Sequence, residues 1–252
     1  MKRINDVLFI AHDNYGSREI FTYLYENNKD VTFHVAITTG LYYRKSFINS
    51  IIKILKEASF WFSLSRFIEL KKYQIKGDTL VARLKKFKVN YFYTNDINDD
   101  DTFEIIKGIK PDAIFSTFTM HILKNRLIKY PNFGAIACHP SMIPEYRGLE
   151  VFFWALANNE TESGVSVFYV SEKIDFGRII SQKKFTIDIN ETVESIYIKL
   201  TKFCAIALSD VLFRLKLGKE LETKPIEGKG SYFPMPTVEA YNKFKKTGRK
   251  WR

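Results

Sequence analysis

Short, nearly continuous apolar runs recur along this chain at residues 7–11, 31–38, 89–93, 111–117 and 135–138. Runs of that length with little alternation are the signature of strands buried on both faces of a parallel sheet. Between them the apolar spacing lengthens to three and four residues. Ile20, Phe21, Leu24 and Tyr25 share one helical stripe, and Gly77-Asp78-Thr79 offers a start for a helix over 80–87. The acidic, turn-rich stretch 95–101 opens another helix that ends near Lys110; acids suit the positive end of a helix dipole, so this cluster reads as capping rather than as metal ligands.

Residues 46 to about 72 carry Phe47, Ile51, Ile54, Leu55, Phe60, Trp61, Phe62, Leu64 and Phe67 with no proline. They predict one or two helices that cover the sheet or a partner subunit, which leaves a homodimer open. Further on, 151–157 reads as a short helix bearing Trp154, and 165–170 and 178–181 as a strand pair. A long amphipathic helix is predicted over 192–217, closed by Gly218. The tail, with Gly228 and Gly230 followed by Pro234 and Pro236, reads as hairpin-like with a basic end. Strands alternating with helices predict an α/β fold: a mainly parallel, twisted, Rossmann-like sheet with helices on both faces and a short C-terminal extension. The expected division is a main domain over 1–190, with 191–252 as a helix and tail packed on it.

Composition narrows the class. The 252 residues are 46% hydrophobic and 27% charged, the balance of a globular chain. No stretch reaches the roughly 18 consecutive apolar residues that a membrane span needs. The first residues lead into a strand-like run without a cleavage pattern, and Cys138 and Cys204 lie far apart in sequence, so the expectation is a cytoplasmic protein without a metal site. A net charge of +11 would suit a phosphate-bearing substrate or nucleic acid, and it would equally follow from a composition rich in lysine. The turn after the first strand, residues 12–18, lacks Gly-x-Gly-x-x-Gly, so nothing points to a dinucleotide; His12 reads as a turn residue.

The candidate chemistry centres on residues 134–148. The strand over 135–138 runs into His139 and then Pro140, which cannot extend a ladder. His139 therefore stands at a strand's carboxyl end, where open α/β sheets bind ligands, and imidazole is the side chain that most readily moves a proton near neutral pH. The alternative is a histidine satisfied by backbone at the strand end. Downstream, residues 171–177 form a polar loop containing Asp175 between two strand-like runs.

Taken together, His139-Pro140-Ser141, then Pro144, Tyr146-Arg147-Gly148, Trp154-Ala155, Gly164-Val165-Ser166-Val167 and Asp175-Phe176-Gly177-Arg178-Ile179-Ile180 resemble the folate-dependent formyltransferases. The close likeness covers about 110–185. It implies the formyltransferase fold, 10-formyltetrahydrofolate as co-substrate, and His139 and Asp175 as catalytic residues. Thr117, Phe118, Thr119, Ser171, Lys173 and Ile174 would meet the folate. Tyr42, Arg44, Lys45, Ser141, Tyr146 and Arg147 would meet the acceptor. The tail is too short for the second domain of tRNA formyltransferases, so the resemblance favours a nucleotide-linked amino sugar, in lipopolysaccharide biosynthesis, over nucleic acid or a membrane.

One position departs from the family. Its third catalytic residue, an asparagine two before the histidine, is replaced here by Ala137. Losing one donor to a developing oxyanion typically costs about 10²–10³ in turnover. Thr117, Thr119 and His121 are candidates to supply another, and a relative that binds folate or nucleotide without turnover is the alternative.

Overall fold

The structure, a computed structural model, describes residues 4–39 and 57–252. Its elements are β1 (Asp6–Ala11), α1 (Tyr15–Asn27), β2 (Thr32–Thr38), α2 (Phe60–Ile75), α3 (Leu80–Phe87), β3 (Asn90–Thr94), α4 (Asp100–Ile109), β4 (Ala113–Ser116), α5 (Asn125–Ile128), β5 (Ala135–His139), β6 (Arg147–Gly148), α6 (Val151–Ala157), β7 (Glu162–Tyr169), β8 (Ile179–Thr186), α7 (Val193–Lys216), β9 (Tyr232–Phe233) and α8 (Val238–Lys246).

Seven strands form one sheet in the order β3-β2-β1-β4-β5-β7-β8. The first five are parallel, and β7 and β8 add antiparallel. Side chains of a strand alternate between faces, and β1 shows the result. Val7, Phe9 and Ala11 join the core beneath α1 and α7, whereas Leu8 and Ile10 join a second core that includes Ile106 of α4 and Leu127 of α5. All five are fully buried, and burying such a side chain stabilises by about 1.5–3 kcal/mol for the larger ones. The predicted mainly parallel sheet with helices on both faces is what forms. No helix among the described residues is long and apolar enough to cross a membrane.

Three sequence expectations differ from the outcome. The strand predicted over 178–181 runs on to Thr186 through Gln182, Lys183 and Lys184, because β8 is an edge strand and an edge tolerates charge. Of the aromatic stretch, 46–56 lies outside the described residues; in α2 only Phe62 and Tyr73 are buried, while Phe60, Trp61 and Phe67 are more than half exposed. The tail is not a hairpin. Tyr232–Phe233 pairs in parallel with Arg147–Gly148, and α8 follows, with Ala240 and Phe244 buried in the main core. The long helix α7 forms as the pattern predicts, with Thr192 and Ser195 completing a capping box at its start. Its buried face joins the same core as α1.

Candidate active site

In a sheet ordered 3-2-1-4-5 the connections leave β1 and β4 in opposite directions, which opens a crevice at their carboxyl ends. A cavity of about 990 Å³ lies there. Its walls come from the exits of β1, β2, β4 and β5, the loop after β7, the start of α6 and the tail around Tyr232. A smaller depression of about 480 Å³ between β8 and α7 shares none of the residues around His139.

His139 ends β5 and is 9% exposed. Its Nε2 is 3.0 Å from the carbonyl oxygen of Tyr146, which can only accept, so Nε2 carries the proton and donates. In the neutral ring Nδ1 is then the free base. It faces Asp175 Oδ1 at 3.7 Å, an ion-pair distance rather than a hydrogen bond. A proton arriving at Nδ1 therefore meets a carboxylate. The strand-end alternative is half right: backbone does hold His139, but through the nitrogen that leaves the other one available.

Asp175 sits in the left-handed region, φ 47°, which aspartate tolerates better than most residues. Its Oδ2 accepts from Gly148 N at 2.9 Å. Gly148 has φ 103°, and a side chain there would place Cβ 2.2 Å from the carbonyl oxygen of Phe233. Only glycine lets β6 lie against β9 while offering its N–H to Asp175. Arg147 braces the same loop from outside. Its guanidinium donates to the carbonyls of Ile174 (3.4 Å) and Lys229 (3.2 Å) and lies over the Phe176 ring.

The residues expected to meet folate, Thr117, Phe118, Thr119, Ser171, Lys173 and Ile174, all line the cavity. Of the residues expected to meet the acceptor, Ser141, Tyr146 and Arg147 do not. Ser141 Oγ donates to the Tyr146 carbonyl. The Tyr146 hydroxyl donates to Glu160 at 2.6 Å, and its ring stacks on Phe233. These three side chains hold the turn that positions His139 and Gly148. Tyr42, Arg44 and Lys45 lie outside the described residues.

Thr117, Thr119 and His121 are already engaged. Thr117 Oγ1 donates to the Cys138 carbonyl at 3.4 Å, and Thr119 Oγ1 lies 3.2 Å from Thr38 Oγ1 while accepting from His121 N. His121 Nδ1 accepts from Ile97 N at 3.3 Å. Cys138 points into the core on the face away from Ala137, as strand alternation requires; burial and the neighbouring Cys204 push its thiol pKa up.

Sequence reasoning missed the role of His12 as a brace. Nδ1–H donates to the Thr38 carbonyl at 2.6 Å, so Nε2 is left to accept from Met120 N at 3.4 Å; one ring ties the exits of β1, β2 and β4 together. Burial lowers its pKa from 6.5 to about 4, against the Thr38 carbonyl, which raises it. Between those values the unfolded chain binds a proton that the folded chain refuses, so stability is lost as pH falls from 6.5 toward 4. His12→Asn keeps a donor for Thr38 without titrating. Its urea stability should lose on the order of 2 kcal/mol less than the unaltered chain between pH 7 and 5; an equal loss in both would contradict this role.

Also missed was a charged cluster in the far wall. Arg66 of α2 binds Glu69 at 2.5 Å, approaches Glu150 at 3.5 Å and lies over the rings of Phe152 and Tyr197. Burial raises the Glu150 pKa above the usual carboxylate range, with Arg66 opposing and Glu69 adding. The signal available was Arg66 as the one charged residue between Glu57 and Glu69.

The family model described as formyl transferase matches residues 69–212, more than half of the chain. Among curated proteins, the bifunctional polymyxin resistance protein ArnA of Wigglesworthia glossinidia brevipalpis is 33% identical over 59% of this chain and 23% of its own length. The methionyl-tRNA formyltransferase of Caldanaerobacter subterraneus subsp. tengcongensis is 28% identical over 56% of this chain and 46% of its own. The matches thus span less than half of either relative. Among solved structures, a sugar N-formyltransferase from Shewanella sp. FDAARGOS_354 aligns over 96% of this chain and 87% of its own, with TM-score 0.63 and 16% identity. The N-formyltransferase from Helicobacter canadensis, in complex with folinic acid and dTDP-3-aminofucose, aligns over 90% and 70%, with TM-score 0.60 and 20% identity. At such identities these two establish likeness of fold. Because the family match takes in both the strand that ends in His139 and the loop that presents Asp175, the chain belongs to the formyl transferase family.

Proposed function

We propose that this protein transfers the formyl group of 10-formyltetrahydrofolate to the amino group of a nucleotide-linked amino sugar. The observation that carries the reading is the His139–Asp175 pair in a cavity whose volume lies at the upper end for small-molecule sites. Family membership supports the formyl transfer, and likeness of fold to a sugar N-formyltransferase and to an N-formyltransferase in complex with dTDP-3-aminofucose supports an amino sugar as acceptor.

In this reading the neutral amine attacks the formyl carbon, a C–N bond forms, and the carbonyl electrons move to oxygen. His139 Nδ1 takes the proton that the new ammonium releases, with Asp175 opposite the charge that results. The oxyanion collapses, the bond from carbon to folate N10 breaks, and N10 takes up a proton; the products are a formamide and tetrahydrofolate. Thr117–Thr119 and the loop with Ser171, Lys173 and Ile174 line the cavity and would meet the folate donor. A relative that binds without turnover has only Ala137 in its favour.

The test is to incubate the protein with 10-formyltetrahydrofolate and a panel of dTDP- and UDP-linked amino sugars and to follow the formylated sugar by mass spectrometry. Product from at least one acceptor is expected. No product from any of them, with the folded protein in micromolar amount, would overturn the reading.

A further inference from the structure

Attack on a formyl carbon builds negative charge on its oxygen, and acyl transfer depends on a positioned donor at that place. The row of side chains that crosses the sheet at Ala137 shows where such a donor stands. In register, β4 sets Ser116 beside Ala137, and β7 sets Phe168 on its other side. In-register neighbours project from the same face, roughly 4.8 Å apart from strand to strand. His139 lies two residues further along β5 on that face, about 7 Å from Ala137. All four residues line the cavity.

Of the three side chains in that row, a methyl and a phenyl ring cannot donate. Ser116 can, and it is 6% exposed. The other hydroxyls nearby are spent: Thr117 on the Cys138 carbonyl, Thr119 with Thr38, Ser171 on the Lys173 carbonyl. Among the described residues no hydrogen bond engages the Ser116 hydroxyl. The small side chain at 137 leaves the cavity face between Ser116 and the His139 imidazole covered by no more than a methyl group.

We infer that Ser116 is a catalytic residue of the formyl transfer, its hydroxyl donating to the formyl oxygen as that oxygen becomes negative, in the space that Ala137 leaves open. The inference rests on the formyl-transfer reading above. It adds a residue that strand register alone brings to the site. No proton leaves Ser116; its O–H strengthens a hydrogen bond in the transition state, so the effect belongs in kcat rather than in ground-state binding.

The experiment compares the unaltered chain with Ser116→Ala, and with Ser116→Ala combined with Ala137→Asn, on an acceptor that the unaltered chain formylates. Ser116→Ala should lower kcat by about 10²-fold, leave both KM values and the affinity for folinic acid within about twofold, and unfold at the same temperature. The added asparagine, whose amide reaches into the same space from the neighbouring strand, should recover at least about tenfold of the loss. A kcat within about twofold of the unaltered chain for Ser116→Ala, or a loss that Ala137→Asn fails to recover, overturns the role of Ser116 alone. Absence of turnover in the unaltered chain overturns the formyl-transfer reading and this inference with it.

Discussion

His139→Asn is expected to bring formyl transfer down by about 10²–10⁴-fold, the range that a positioned acid–base group contributes, while the protein unfolds at an unchanged temperature. Asparagine can donate one hydrogen bond from its amide, so the contact with the Tyr146 carbonyl can survive, but it has no basic nitrogen to face Asp175. Asp175→Asn separates two roles. An amide oxygen still accepts from Gly148 N, so the loop stays tied to β6; the charge opposite His139 Nδ1 is lost. At least a tenfold fall in kcat is expected from it (~1.4 kcal/mol). Rates like those of the unaltered chain in either variant, measured by release of tetrahydrofolate, would remove the pair from the mechanism.

Gly177→Ala should do nearly as much damage without touching a reacting group. A Cβ at Gly177 would stand 1.5 Å from the carbonyl oxygen of Tyr169, the last residue of β7. No rotamer change relieves a clash between two backbones, so the loop carrying Asp175 has to move off the end of the strand. A displacement near 1 Å in a reacting geometry can cost about 10²-fold in rate, and forcing extra atoms into a packed site typically costs about 1–3 kcal/mol of stability. Both losses are expected together, read as kcat and as the urea midpoint. A variant with full rate and an unshifted midpoint would mean that the 170–177 loop has no fixed place against β7.

The positions of His139 and Asp175 were legible in local pattern, while the catalytic roles proposed for them came from the resemblance. An apolar run broken by His139-Pro140 marks a strand end, and a polar loop between two strand runs marks the other partner. The sheet was legible for a similar reason, since β1, β2, β4 and β5 are buried on both faces and read as near-continuous apolar runs. What escaped depends on register or on distant segments. Nothing near Ser116 in the sequence says that it lies beside Ala137; that follows from where β4 meets β5. Ser141, Tyr146 and Arg147 share a motif with His139, but adjacency in a motif does not decide which side chains face a ligand and which hold the turn. The pairing of β6 with β9 joins strands of two residues each, too short to carry a period, and is fixed by Gly148 accepting the close approach of Phe233.

That last pairing bears on the order in which the protein becomes competent as it is made. The parallel half of the sheet, β1 to β5, is complete once His139 has been synthesised, and Asp175 follows soon after. The segment that fixes Arg147 and Gly148 arrives much later, with Lys229 receiving Arg147 and Tyr232–Phe233 laid along β6. A nascent chain can thus hold a folded sheet, His139 and Asp175 while the loop between them still lacks its outer support. The pairing of β9 with β6, rather than closure of the sheet, is what braces the strand that ties down Asp175 through Gly148.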